Sequence, residues 1–319
     1  MTSCISIRGL EMKFRGCDAL NGVDLEIPTG SVFALLGENG AGKTTLIRIL
    51  TGFLQPSAGA CTVCGLDPER DALEIRRRVG YVSDSPALYD WMKVGEIGWF
   101  AAAFFDDAFL KRYRDLIARY EVPETRKIRH LSKGQRAKVA LALAVAPDPE
   151  LLILDEPTSG LDPLVRREFL ESMVDRAATG RTVLLSSHQI SEVERVADRV
   201  AILRGGRVRL EDILADLKES IVNVTITLSD PLAALPELEA PAEVLSEQDE
   251  GRQRRWMVRG FTAEQQAEIA ARPSVLSVRT RPATLDELFV ACTRGIVPEL
   301  NNSGGVVGRA TAERQASMP

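Results

Sequence analysis

One stretch limits the possible folds more than any other: residues 32–45, reading VFALLGENGAGKTT. A near-continuous apolar run stops at Gly37, and Gly40 and Gly42 follow at once. Gly37 to Thr45 fits the spacing G-x-x-x-x-G-K-[ST], placed after a buried strand and before a helix, as that spacing requires. The glycines let the backbone curl so that successive N–H groups face inward at phosphate oxygens. Glu38, Asn39 and Ala41 complete the curl, and a helix starting near Gly42 adds its positive end. Lys43 supplies a mobile cation for the β- and γ-phosphates. Thr44, with Thr45 beside it, offers a hydroxyl to Mg2+.

Two further apolar runs resemble the first: LLILDE at 151–156 and TVLLSSH at 182–188. Such runs suit strands buried on both faces of a parallel sheet. Helical patterns lie between them, for example Lys43 to Leu50 and Gly134 to Val145, and this alternation gives an α/β core. A phosphate loop needs an acid for its metal. Asp155 ends an apolar strand and would hold Mg2+ directly or through water. Glu156 follows it and can polarise an attacking water as general base.

At 319 residues the chain has room for about two domains. Its net charge of −5 gives no support for a nucleic-acid-coating face. The five cysteines, Cys4, Cys17, Cys61, Cys64 and Cys292, are sparse and odd in number, which fits a reducing compartment. Cys61 and Cys64 form a C-x-x-C without a second ligand pair. They sit on a strand and turn where odd spacing sends them to opposite faces, so they read as structural. The first residues lack the basic and apolar regions of a signal peptide. The most apolar later stretch, Ile97 to Phe105, is too short to span a bilayer. A soluble protein that docks on a membrane protein is expected. After about Lys218 the pattern changes. VNVTITL alternates strictly, VLSEQDEGRQRRWMV reads as a hairpin, and Thr262 with Gln265 and Thr284 with Glu287 have capping-box spacing.

LSKGQ, from Leu131 to Gln135, precedes the acidic strand. With it the chain resembles the ATP-binding cassette (ABC) ATPases, whose signature is close to L-S-G-G-Q. The resemblance covers roughly residues 3–215. It implies a P-loop NTPase core with a RecA-like parallel sheet, an antiparallel β subdomain and a helical subdomain. A small α+β unit over residues 218–296 and a disordered tail over 297–319 would follow an ATPase domain over 3–217. It also implies that Ser132, Gly134 and Gln135 meet the γ-phosphate of ATP held by a partner subunit. Asp162, in SGLD, would join the two sites. His188 would be the switch residue, and Phe14, 29 residues before Lys43, would stack on adenine or else belong to the core. His130 reads as structural.

Three positions depart from the family pattern, and Ser83 in place of a proline is one of them. Lys133 replaces a glycine, and Asp84, in GYVSDSP 41 residues after Lys43, stands where relatives carry glutamine. Aspartate still offers oxygen to Mg2+, so Asp84 is either a metal ligand or a residue that shapes its loop. The next segment concentrates Trp91, Trp99, Phe100, Phe104 and Phe105. A helical core claims some of these, and the rest offer a surface to a transmembrane subunit. The expected activity is hydrolysis of MgATP by a homodimer, or a pair with a related ATPase subunit, on the cytoplasmic face of the membrane. It would drive a permease, with the chain most similar to exporter subunits. Importer ATPases and cytosolic cassette proteins acting on ribosome or nucleic acid are the alternatives; no nucleic-acid partner is expected.

Overall fold

The computed structural model describes residues 2–159, 161–236 and 238–293, and the backbone of 300–301. β1 (Ser3–Phe14) and β2 (Cys17–Pro28) form a hairpin, followed by β3 (Val32–Leu36), α1 (Lys43–Leu50) and β4 (Ala58–Val63). β4 pairs with β1, giving an antiparallel sheet ordered β2-β1-β4. Next come α2 (Ala72–Arg78), β5 (Val79–Val82), α3 (Val94–Ala102), α4 (Phe109–Arg119) and α5 (Lys133–Val145). Then follow β6 (Leu151–Asp155), α6 (Pro163–Ala178), β7 (Thr182–Ser187), α7 (Ile190–Val196), β8 (Arg199–Arg204) and β9 (Arg207–Ile213). The main sheet is ordered β9-β8-β3-β7-β6-β5, parallel throughout except that β9 runs against β8.

β3 and β6 are buried at every position, as their unbroken apolar sequences demand. Alternate residues feed two cores. Val32, Ala34 and Leu36 face one, with Leu152, Leu154 and α6 residues Phe169 and Met173. Phe33 and Leu35 face the other, with Ile153, α1 and the inner side of the antiparallel sheet. The sheet is thus the shared wall of two hydrophobic layers, and on β3, β6 and β7 polar side chains appear only at the strand ends.

The chain continues through α8 (Leu214–Ser220), β10 (Ile221–Leu228), β11 (Glu243–Glu250), β12 (Gln253–Arg259), α9 (Ala263–Ala270), β13 (Val275–Pro282) and α10 (Leu285–Thr293). The expected boundary at 217/218 falls within α8. The four strands form an antiparallel sheet ordered β11-β12-β10-β13. Thr262 with Gln265 caps α9, and Thr284 with Glu287 caps α10. Ile269 of α9 packs on Val224, Ile226 and Val258. On the other side, Leu285 and Leu288 of α10 join Ile202 and Leu210 of the main sheet in one core. Arg259 also pairs with the buried Asp212. Of the tail expected to be disordered, all but β14 (Leu300–Asn301), which pairs in parallel with β9, lies outside the described residues.

α3, α4 and α5 build a third core from Val94, Ile97, Phe109, Tyr113, Ile117 and Val139. The expectation that this core claims part of the preceding aromatic run is corrected. Trp91, Trp99, Phe100, Phe104 and Phe105 are all exposed, and only Phe105 lies stacked on a core ring, that of Phe109. The core takes its aromatics from α4 because α3 presents Gly98 inward: a Cβ there would lie 2.1 Å from the Tyr113 ring. Tyr113 is held in place by its hydroxyl, which donates to the Val94 carbonyl at 2.8 Å. Gly98→Ala should therefore destabilise the protein by about 1–3 kcal/mol through overpacking. Denaturant unfolding checks this; a wild-type midpoint would show that the helices can part without cost.

Candidate active site

Parallel register brings the polar strand ends together. Leu36 is level with Ser187, Asp155 with Ser186, and Val82 with Leu154. The residues just beyond these, Gly37, His188, Glu156 and the loop to Asp84, therefore share one edge of the sheet. Open α/β sheets bind ligands at this carboxyl edge.

The loop after β3 needs its glycines for stated reasons. A Cβ at Gly37 would lie 2.7 Å from the Leu203 carbonyl oxygen. Gly42 has φ 110°, and a Cβ there would approach the Ala19 carbonyl oxygen to 2.6 Å. Lys43 follows at the start of α1 and is buried, with Nζ donating to the carbonyls of Gly37 at 2.6 Å and Glu38 at 3.3 Å. Thr44 is exposed beside it and Thr45 half-buried.

Lys43 Nζ also lies 3.2 Å from Glu156 Oε1, while Glu156 Oε2 lies 2.7 Å from His188 Nδ1. The carboxylate is thus suspended between an ammonium and an imidazole. Its Oε1 is buried and its contact with Lys43 is ionic, without hydrogen-bond alignment. Glu156 adopts φ 49°, a left-handed conformation costly for a side chain of this size. Its N–H, shared between the carbonyl and hydroxyl of Ser186 at 3.1 and 3.2 Å, holds it there. Asp155 is buried, and its Oδ1 accepts from Ser186 Oγ at 2.5 Å. Ser186 therefore serves both acids, a role that an apolar strand ending in two serines does not announce. Glu192 was likewise missed. It is buried on α7, accepts from Thr158 at 2.6 Å and pairs with Arg166 at 3.2 Å, bracing the segment after β6.

Phe14, Glu38, Asn39, Gly40, Gly42, Lys43, Thr44 and Thr45 line one cleft of about 390 Å3 with Asp84, Asp155 and Glu156. Phe14 is half-exposed at the end of β1, so it is not a core residue. Gly37 and Ala41 support the loop from behind. Asp84 is exposed just beyond β5 and also lines a neighbouring cavity of about 220 Å3 with Lys133 and Arg136. Tyr81, three residues earlier, has its phenol pushed up chiefly by burial, with Asp155 and Asp84 adding to it. The hydroxyl and carboxylates of Thr44, Asp155 and Asp84 are hard oxygen donors that suit Mg2+. Among the described residues no cluster of three His, Cys, Asp or Glu could hold a metal alone, so such an ion would need oxygens from a phosphate or water.

The signature residues stand apart from this cleft. Ser132 caps α5: its Oγ accepts from Gln135 N at 3.2 Å, and Gln135 Oε1 accepts from Ser132 N at 3.2 Å. Gly134 is buried against Val165 of α6. Asp162 caps α6 through Leu164 N and Val165 N at 3.1 and 3.0 Å. His130 is exposed, with Arg129 Nε donating to its Nε2 at 3.2 Å.

A buried lysine at the end of the glycine loop after β3, a histidine at the end of the adjacent strand β7 and an acid pair at the end of β6 beyond it define a nucleoside-triphosphate-binding protein of the P-loop class. Residues 20–159 match the ABC transporter family. The chain is 40% identical over 206 residues to an uncharacterised ABC transporter ATP-binding protein of Nostoc sp., covering 62% of this chain and 61% of that one. It is 36% identical to a daunorubicin resistance ATP-binding protein of Streptomyces coeruleorubidus, covering 68% and 70%. It is 35% identical to a nickel import ATP-binding protein of Rhodobacter capsulatus, covering 65% and 88%. A solved structure of an ATP-binding subunit of an ABC transporter is 31% identical, with TM-score 0.63, over 68% of this chain and 92% of that one. The chain belongs to the ABC transporter ATP-binding proteins, a family of ATPases.

Ser186→Ala should cost about 1–3 kcal/mol of stability, because it strips a buried carboxylate of its donor. Urea unfolding would measure it; a loss of only a few tenths would mean that Asp155 finds another partner.

Proposed function

We propose that this chain hydrolyses MgATP as one ATPase of a pair and drives a separate exporter permease. The observation that carries the proposal is the Glu156 carboxylate held between Lys43 and His188 at the sheet edge. Each contact has a chemical use. Lys43 gives up the Gly37 carbonyl and Glu156 when phosphate oxygens enter the loop. Glu156, released, accepts a proton from a water aimed at the γ-phosphorus, and the bond to the β-phosphate oxygen breaks to give ADP and phosphate. His188 orients Glu156 through Nδ1. Thr44 and Asp155, with Asp84 at the cleft wall, hold Mg2+, which neutralises charge on the phosphates when bound. Phe14 stacks on the adenine ring from the exposed end of β1.

Ser132, Gly134 and Gln135, with Asp162, serve the nucleotide of a second subunit, either another copy or a related ATPase. Their place outside the chain's own cleft supports this reading, since capped helix N-termini suit phosphate. The exposed aromatics Trp91, Trp99 and Phe104 supply a docking surface for the permease at the cytoplasmic face of the membrane. Export follows the name of another relative, a Nod factor export ATP-binding protein of Cupriavidus pinatubonensis that is 34% identical over 231 residues. Import, as in the name of the Rhodobacter relative, is the second reading. The C-terminal unit over 218–296 is an accessory domain.

Glu156→Gln should leave ATP binding in place, trap a dimer and slow turnover by about 10²–10⁴-fold. Nucleotide-binding titration, gel filtration and phosphate release read the three effects, and unchanged turnover removes Glu156 as the base. Asp84→Ala should raise the Mg2+ concentration for half-maximal hydrolysis several-fold; an unaltered Mg2+ curve reduces Asp84 to a turn residue. Copurification with a polytopic membrane protein supports the coupling, whereas tight association with ribosomes or DNA overturns it.

A further inference from the structure

Cys64 does not work with Cys61, its partner in the C-x-x-C. Cys61 is buried on the core side of β4. Cys64 lies just past the strand, with φ 51°, and faces Cys4 at the start of β1. Ile5 is opposite Val63 and Ser6 opposite Thr62, so the antiparallel register continues to Cys4 opposite Cys64. The Cys64 N–H donates to the Cys4 carbonyl at 2.7 Å, and the two Sγ atoms are 3.7 Å apart. Directly opposed strand residues have Cβ atoms near the separation a disulfide needs.

We propose that Cys4 and Cys64 form a modification site: a dithiol that hydroperoxides convert to a reversible disulfide. The two sulfurs are unequal. The Cys64 thiol contact holds Cys4 below the ordinary thiol range despite burial. Contact with Cys4, then burial, pushes Cys64 upward. We assign Cys4 as the nucleophile and Cys64 as the resolving thiol, an order that trapping of the Cys4 sulfenic acid in Cys64→Ser decides. The Cys4 thiolate attacks one oxygen of hydrogen peroxide. The O–O bond breaks, and the departing hydroxide takes a proton to become water, leaving Cys4 as a sulfenic acid. The Cys64 sulfur then attacks the Cys4 sulfur. The S–O bond breaks, and the hydroxide leaves as water with the Cys64 proton. Two thiols and one peroxide give one disulfide and two waters, with two electrons passing from sulfur to oxygen. A small thiol reductant reverses the step by exchange.

The link would close a ring over residues 4–64, which holds β1 to β4, the phosphate loop and α1. Neither cysteine lines the nucleotide cleft. Oxidation should therefore stabilise this part of the chain by restricting its unfolded state, without entering the site. The exposed thiol that does line the cleft, Cys17, is not part of the pair.

The test is treatment of the full chain with a small excess of hydrogen peroxide, then alkylation, intact mass and peptide mapping. Expected are a loss of about two mass units per link, a joined Cys4–Cys64 peptide, and a melting midpoint raised by roughly 5 °C, all reversed by dithiothreitol. Cys61→Ser should still form the link. Cys64→Ser should stop at a Cys4 sulfenic acid that dimedone traps. The proposal is overturned if Cys61 is joined to Cys64. It also fails if Cys4 and Cys64 both remain alkylatable at a peroxide dose that oxidises Cys17.

Discussion

Everything in the cleft depends on the mutual register of three buried parallel strands, β3, β6 and β7. Because they are apolar on both faces, their polar side chains lie at the strand ends, and the backbone ladder fixes how far each carboxyl end projects. Leu36 level with Ser187, and Asp155 level with Ser186, bring Lys43, Glu156 and His188 within reach of one another. A one-residue slip of β6 would exchange its two faces between the cores and carry Asp155 inward. Hydrophobic burial of the sheet and placement of Lys43, Glu156 and His188 are therefore one constraint. The left-handed backbone at Glu156 is the local cost of aiming a glutamate at the loop from the end of such a strand.

On the proposed reading the site is completed by a second subunit. The lysine, the acids and the aromatic wall converge on one cleft, but Ser132 and Gln135 spend their hydrogen bonds on each other at the tip of α5. A capping box keeps the helix N-terminus formed in the absence of any anion. A second subunit's nucleotide would meet a finished helix end and would not have to order one. The same economy holds at Asp162, which caps α6 in this chain whether or not it reaches another.

Much of this was legible in the sequence because it is local. The strand VFALL, the loop GENGAGKTT and the run LLILDE carry their structural context with them, and the capping boxes at Thr262 and Thr284 read directly from spacing. The remainder is non-local. β1 and β2 pair with several register shifts, so their apolar residues do not keep a clean two-residue period. Glu192 looks like a surface acid on a short helix and is buried only because Thr158 and Arg166 come to it from elsewhere. Cys64 had a closer sequence partner, Cys61, than its spatial one. The aromatic run between β5 and α4 was expected to be divided between core and surface. Gly98 and Tyr113 fill the core from other positions, leaving those rings outside.

Asp84 shows how a change that is unfavourable locally can be tolerated. On the proposed reading, its carboxylate adds negative charge to a cleft that takes phosphates. A neutral wall around it would make that charge a simple penalty on nucleotide binding. The second cavity that Asp84 lines has Lys133 and Arg136 on its other wall. Arg136 is already paired with Asp90 at 2.5 Å, whereas Lys133 is exposed at the first position of α5. Asp84 and Lys133 are therefore of opposite charge and line one cavity. Their attraction offsets part of the repulsion between Asp84 and a triphosphate, and it acts between the loop after β5 and the helix that carries the signature. Asp84 and Lys133 act on each other across the cavity at a distance and not as a contact ion pair. Such coupling between partly exposed groups weakens as salt screens it.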